Sequence, residues 1–182
     1  MKPDAVHDVL FDEAQIAGRV RVLAQEIAAV SQGPEPLTLV GVLRGSFIFL
    51  ADLVRALHRQ GVRARVDFMV LESYGSGSSS SGNVRLNKDI SLDVRGQDVL
   101  LVDDILDSGR TLSFACRHLK ELGARTVKAC VLLDKPSRRA VPAHADFIGF
   151  TVPDEFIVGY GLDYNHAYRE LPWIGRVPVE GP

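Results

Sequence analysis

The densest chemistry in this chain lies in residues 98–112, which read Asp-Val-Leu-Leu-Val-Asp-Asp-Ile-Leu-Asp-Ser-Gly-Arg-Thr-Leu. An apolar stretch, Val99 to Val102, runs into the adjacent carboxylates Asp103 and Asp104. Asp107 follows, then the small polar turn Ser108-Gly109-Arg110-Thr111, then a helical pattern from about Leu112. A Ser/Gly/Thr turn at the start of a helix is an anion site, because unpaired amides and the helix dipole both favour a phosphate. Carboxylates beside that site would repel the phosphate, so they need a different partner. Sugar hydroxyls or a divalent cation meet that need. A ligand carrying phosphate, a diol and a metal is a phosphorylated ribose. The same run could also be a buried parallel strand ending in a solvated acidic turn, and the rest of the chain has to decide.

Other candidate groups are spread along the sequence. Arg44-Gly45-Ser46 breaks the apolar run Leu37 to Leu43, and Lys135 is presented between the apolar run ending at Asp134 and Pro136. A cation at either place could serve a ligand or could be an ordinary surface charge. Phe156, judged by periodicity alone, reads as a core aromatic. The low-complexity stretch Tyr74 to Gly82 is rich in Gly and Ser. It fits an interdomain linker, yet the segments on either side are too short for two good domains, and a loop of this kind inside one compact domain is more often a lid. The five histidines show no metal-ligand spacing.

Positioning these groups requires a particular scaffold. Residues 12–30 form an amphipathic helix, with Asp12 and Gln15 spaced for a capping box and Ile16, Val20, Leu23, Ile27 and Val30 on one face. Leu37 to Leu43 is the near-continuous apolar run of a strand covered on both faces. The pattern then predicts a helix from Phe47 to Leu57, strands over Arg65 to Ser73 and Asp98 to Val102, and a helix over about 112–122 closed by Gly123. Strands from Thr126 to Asp134, Phe147 to Val152 and Phe156 to Tyr160 complete it. Alternation of this kind predicts an α/β fold with a mainly parallel central sheet flanked by helices. In such sheets ligands bind beyond the carboxyl ends of the strands, where both Arg44-Gly45-Ser46 and Asp103 to Thr111 fall.

Length and composition narrow the classes. A chain of 182 residues is expected to fold as a single domain, 1–182, with a sizeable core. No apolar run approaches the ~20 residues of a membrane span, and the N-terminus lacks the features of a signal peptide. A net charge of −2 gives no reason to expect nucleic acid as a partner. Cys116 and Cys130 lie in apolar contexts without ligand spacing, as expected for reduced thiols in a cytoplasmic protein.

The acidic run resembles the phosphoribosyl-pyrophosphate (PRPP) signature of the type I phosphoribosyltransferases: strand, acid pair, third acid, Gly and Thr fall at the required spacing. From about residue 10 to 176 the chain is similar to bacterial hypoxanthine (hypoxanthine-guanine) phosphoribosyltransferases. The shared stretches include Leu39 to Ser46, Ser73 to Gly77, Leu133-Asp134-Lys135-Pro136, and Val152-Pro153-Asp154-Glu155-Phe156 on to Arg169. The resemblance implies a small hood over the C-terminal strand ends, and transfer of a 6-oxopurine to PRPP with release of pyrophosphate.

Roles follow from the resemblance residue by residue. Asp103 and Asp104 would take the ribose 2′- and 3′-hydroxyls, directly or through water and Mg²⁺, and Asp103 stands where relatives commonly have Glu. Asp107 would handle the proton at purine N7, while the amides of 107–111, with Ser108, Gly109, Arg110 and Thr111, hold the 5′-phosphate. Arg44, Gly45 and Arg169 would bind pyrophosphate, with a cis peptide between Leu43 and Arg44. Lys135 would donate to the purine O6, Phe156 would stack on the base and the Ile157 backbone would read its other edge. Asp163 would join Asp103 and Asp104 as a metal carboxylate. Ser73 and Tyr74 would belong to the lid, residues 74–83. Such enzymes form homo-dimers or homo-tetramers.

Other chemistries fit less well. Neither Gly-x-Gly-x-x-Gly nor the P-loop pattern Gly-x4-Gly-Lys-Ser/Thr occurs. A Mg²⁺-dependent phosphatase would want a nucleophilic Asp two residues before its acid, which Asp103-Asp104-Ile105-Leu106-Asp107 does not supply. A PRPP-sensing regulator could dispense with the base pocket and would usually carry a basic surface. The set Lys135, Phe156, Asp163 and Arg169, with near-neutral charge, favours the enzyme.

Overall fold

A computed structural model describes residues 8–31, 33, 35–74 and 83–177. The Gly/Ser-rich residues 75–82, the centre of the expected lid, lie outside the described residues. Among those described, no helix is long and apolar enough to cross a membrane.

Helix α1 (Glu13–Val30) begins where the sequence predicts. The Asp12 carboxylate accepts from the Gln15 amide at 2.8 Å, and the Gln15 side chain accepts from the Asp12 amide at 2.9 Å. Its stripe Ile16, Val20, Leu23 and Ile27 is buried, whereas Val30 is exposed because the helix ends beyond the core. Strand β2 (Leu37–Leu43) and helix α2 (Phe47–Arg59) follow, the helix running two residues past its expected end.

The main sheet has the order β4-β3-β2-β5-β6-β7. Its strands are β3 (Ala64–Tyr74), β4 (Asn83–Lys88), β5 (Asp98–Leu106), β6 (Thr126–Asp134) and β7 (Phe147–Thr151), together with β2. All neighbours are parallel except β4, which returns antiparallel to β3. Helices cover both faces, which is why β2 and β5 read as unbroken apolar runs. Leu39, Leu100 and Leu132 face α1 and α2 through Leu23, Phe49 and Leu53, while Val40, Leu101 and Val131 face Leu112, Ala115 and Leu119 of α3 (Arg110–Glu121).

Several sequence expectations need correction. Strand β5 does not stop at Val102: its pairing with β6 continues to Leu106 opposite Asp134, so the acid pair lies inside the strand. Strand β4 escaped the pattern because its alternation, Val84-Arg85-Leu86-Asn87, is short and adjoins the Gly/Ser tract. The expected strand Phe156 to Tyr160 shrinks to β8 (Ile157–Val158) and belongs to a second sheet, order β1-β9-β8. Its other members, β1 (Asp8–Phe11) and β9 (Ile174–Arg176), were not anticipated; they are short segments near opposite ends of the chain that pair antiparallel with each other. This small sheet carries the hood.

Candidate active site

The topology fixes where a ligand can enter. Strand β2 pairs with β3 on one side and β5 on the other, so the connections diverge between the carboxyl ends of β2 and β5 and leave a crevice. A cavity of about 780 Å³ opens there. Its wall includes Arg44, Gly45, Asp103, Asp104, Asp107, Ser108, Gly109, Arg110, Thr111, Asp163 and Arg169. Three separate sequence stretches thus meet at one place.

Two features shape the crevice floor. The Leu43–Arg44 peptide is cis, as the resemblance implies. The turn after it is braced by the buried Ser46 hydroxyl, which donates to the Val42 carbonyl at 2.6 Å. Gly45 then packs against the end of β5 so closely that a Cβ would lie 1.5 Å from Asp104 Oδ2. Only glycine fits where the two strand ends converge.

Asp103 is buried and Asp104 partly buried, and among the described residues neither makes an ion pair. Asp103 is 4 % exposed, and its Oδ1 accepts from the Asp104 amide at 2.9 Å. Burial, followed by the neighbouring Asp104 charge, pushes its pKa well above the ordinary carboxylate range. Burial raises Asp104 too, against hydrogen bonds and the more distant positive charge of Arg169.

Beyond the pair the chain turns into α3. Gly109 has φ of +85°, a conformation that side chains resist, and as the N-cap it has no side chain to cap the helix; the Arg110 amide makes a long contact of 3.5 Å to Ser108 Oγ. Residues Ser108 to Thr111 line the cavity, so this helix start offers its dipole to a phosphate there. Asp107 stands before the turn. Its Oδ1 is buried with no hydrogen-bond partner among the described residues, and its Oδ2 lies 3.7 Å from the Arg138 guanidinium. It is an acceptor that lacks a donor.

The hood supplies Asp163 and Arg169, joined by an ion pair at 2.7 Å. Asp163 Oδ2 also accepts from the His166 amide at 2.9 Å, and the Arg169 guanidinium donates to the Gly161 carbonyl at 2.5 Å. Among the described residues no three acidic, His or Cys side chains form a ready metal cage, so Asp163 is not gathered with Asp103 and Asp104 into one ligand set.

The residues expected to hold the base lie beside the cavity and are absent from its wall. Lys135 is 7 % exposed, and its ammonium donates to the Glu155 carbonyl at 2.5 Å. Burial lowers its pKa, with the Asp107 carboxylate opposing that shift. Phe156, the next residue, is 38 % exposed and meets Tyr164 edge-on at 5.2 Å, while Ile157 is buried. Phe156 is therefore no core aromatic. Ser73 and Tyr74 end β3, in register with Val84 and Asn83.

Sequence reasoning missed Arg138 and Asp154, both in the cavity wall. Arg138 bridges Asp154 at 2.7 Å and Asp107 at 3.7 Å. A signal was present, since Arg138 lies three residues after Lys135 and Asp154 two before Phe156.

Comparison with known proteins accounts for this arrangement. Residues 8–165 match the family model described as phosphoribosyl transferase domain. Hypoxanthine phosphoribosyltransferase of Escherichia coli K12 is 47 % identical over 171 residues, which are 93 % of this chain and 94 % of that protein. The chain belongs to the hypoxanthine phosphoribosyltransferase family. Hypoxanthine-guanine phosphoribosyltransferase of Aquifex aeolicus is similarly related, 48 % identical over 93 % of each chain. Among solved structures, the Trypanosoma cruzi hypoxanthine phosphoribosyltransferase in complex with the product IMP superposes with a TM-score of 0.91 at 37 % identity, covering 100 % of both chains. The parallel sheet and flanking helices of this phosphoribosyltransferase are the type I fold.

Proposed function

We propose that this phosphoribosyltransferase works in purine salvage, joining hypoxanthine, and also guanine, to PRPP to give IMP or GMP and pyrophosphate. The observation that carries this reading is the cavity at the β2/β5 crevice, where a phosphate-binding turn, a buried acid pair and an unpartnered Asp107 oxygen face one space. N9 of the base bonds to the anomeric carbon, the bond from that carbon to pyrophosphate breaks, and the proton lost from the base passes to a carboxylate.

Each group has a part suited to its surroundings. The amides of 107–111, with Ser108, Gly109, Arg110 and Thr111, hold the 5′-phosphate. Asp103 and Asp104 accept from the ribose hydroxyls and oppose the positive charge that grows on the ring as pyrophosphate leaves. Asp107 Oδ1 takes the N7 proton, which supplies the donor it lacks. Lys135 gives O6 a charge-assisted donor and disfavours the 6-amino group of adenine. Phe156 stacks on the ring, and the Ile157 backbone reads the remaining edge. Arg44, Gly45 and Arg169 hold pyrophosphate, and Ser73 and Tyr74 belong to the lid.

The residues present also fit Mg²⁺. This ion takes one or two carboxylates and fills its octahedron with water and phosphate oxygens, so it needs no protein cage. Asp103, Asp104 and Asp163 would offer it hard oxygen ligands, all three being in the wall of the same cavity. A cation held there would supply charge neutralisation to the departing pyrophosphate.

In this reading the partners are small molecules, and a net charge of −2 gives no support to nucleic acid as one. The two cysteines are unpaired, which suits the cytoplasm. A homo-dimer or homo-tetramer is the assembly we infer.

A spectrophotometric screen of hypoxanthine, guanine, xanthine and adenine with PRPP and Mg²⁺ tests the proposal, with nucleic-acid filter binding alongside. Turnover of hypoxanthine and guanine without adenine is expected. Tight RNA or DNA binding with no turnover would replace the enzyme by a regulator.

A further inference from the structure

The guanidinium of Arg139 ties together the two halves of the site without lining the cavity. It donates to the backbone carbonyls of Leu106 and Asp107 and to the carboxylate of Asp134. Its stem lies under the phosphate turn, where a Cβ on Gly109 would come within 3.1 Å of Arg139 Cδ. The surrounding backbone repeats the connection: the Lys135 amide donates to the Leu106 carbonyl at 2.9 Å, and the Ala140 amide to the Ser108 carbonyl at 2.9 Å. Asp134 is 8 % exposed and ends β6 immediately before Lys135.

We propose that Arg139 is a positioning residue that fixes Asp107 relative to Lys135, so that one purine can meet both. Resting on the reading of Asp107 as proton carrier, this extends it to a residue that touches no substrate. The physical reason is specific to arginine. One planar guanidinium reaches three acceptors on two strand ends at once, a fixed fork geometry that a lysine ammonium on a flexible stem does not reproduce. Asp107 itself has little else to hold it, since its nearest cation, Arg138, is half-exposed and shared with Asp154. A carboxylate displaced by about 1 Å from its reacting proton can lose ~10²-fold in rate.

The experiment compares Arg139→Ala, Arg139→Lys, Asp134→Asn and Asp107→Asn with the unmodified enzyme, each checked for folding by thermal melt and assayed well below its melting temperature. Arg139→Ala should lower kcat by about ten- to a hundredfold while the KM for PRPP changes by less than about threefold. Added methylguanidine should recover a substantial part of kcat in Arg139→Ala and none in Asp107→Asn. Asp134→Asn should lower kcat a few-fold, and Arg139→Lys should fall between it and Arg139→Ala. Wild-type kcat in Arg139→Ala despite a lowered melting temperature would make Arg139 purely structural and overturn the proposal. If Arg139→Ala does not fold, Arg139→Lys and Asp134→Asn decide, and wild-type kcat in both overturns it. Should Asp107→Asn keep its activity, the proton-carrier reading fails independently of what Arg139 does.

Discussion

The chemistry of the turn from Asp103 to Thr111 is spelled out by residue types adjacent in sequence, whereas the hood from Pro153 to Arg169 takes its shape from contacts between residues eight to over a hundred positions apart. In the turn, a strand paired on both sides delivers two carboxylates, one glycine reverses the chain and α3 starts at once. In the hood, Tyr160, Asn165, His166 and Tyr168 all adopt positive φ, from 50° to 74°, which non-glycine residues accept only when their surroundings enforce it. The enforcement is visible: the Tyr160 amide donates to the Leu171 carbonyl at 2.9 Å, Gly161 to Arg169 at 3.0 Å, and the Tyr160 hydroxyl to Asp52 on α2 at 2.5 Å. A local site can be read from a string of residues. A site built by long-range restraint cannot.

That contrast explains what was legible. The strand–acid–turn–helix run announces itself through residue types alone, and β2, β6 and the capped start of α1 fall where their patterns place them. Phe156, Asp163 and Arg169 were found through resemblance, because no periodicity marks a loop. Strands β1, β8 and β9 are two to four residues long, too short for an alternating pattern to show. Arg138 and Arg139 look like surface charge until β6 is seen to end beside β5.

The comparison predicts that the largest chemical effect comes from the local turn. Asp107→Asn should reduce kcat by ~10²-fold or more with little change in the KM for PRPP, because a positioned proton carrier contributes ~10²–10⁴-fold while phosphate binding rests on backbone amides. Steady-state kinetics with both substrates varied would settle it. Near wild-type kcat would remove Asp107 from the chemistry.

Lys135 touches both regions, since its amide donates to the Leu106 carbonyl in the turn and its ammonium reaches the hood carbonyl of Glu155. Lys135→Met should weaken use of 6-oxopurines by ~1–3 kcal/mol, the cost of an unpaired buried acceptor, and leave PRPP affinity nearly unchanged. Calorimetric titration of PRPP and of the base would separate the two. A fall in PRPP affinity alone would move Lys135 to the phosphate side.

The acid pair also makes the turn costly to hold in the ligand-free enzyme. Folding raises the pKa of Asp103, so the unfolded chain ionises first, near pH 4. Between that value and the folded pKa the native state binds more protons, and stability therefore falls as pH rises. Asp103→Asn removes that proton uptake while keeping an Oδ1 acceptor for the Asp104 amide. It should melt higher than the ligand-free parent at pH 7, by about 1–2 kcal/mol in stability, and the difference should vanish near pH 4. A melting temperature unchanged at neutral pH would mean that the pair is relieved by some group other than protons.

The smallest effect is expected in the hood, where many weak restraints share the work. Tyr160→Phe removes the hydroxyl that donates to Asp52 and leaves the ring in place. Asp52 keeps Arg55 as a partner, so no buried charge is left alone. The net loss should be that of one hydrogen bond to a charged group, about 1.5 kcal/mol or less once the partial exposure of Asp52 is considered. For a chain of this size that lowers the melting temperature by a few degrees. Because Asp163 and Arg169 follow Tyr160 in the same loop and reach the cavity wall, the KM for PRPP should rise by about twofold, with kcat held because Asp107 is carried by the β5–α3 turn and not by that loop. A large fall in kcat, comparable with that of Asp107→Asn, would show that the hood controls the chemistry as directly as the turn does. The two regions would then act as one cooperative unit.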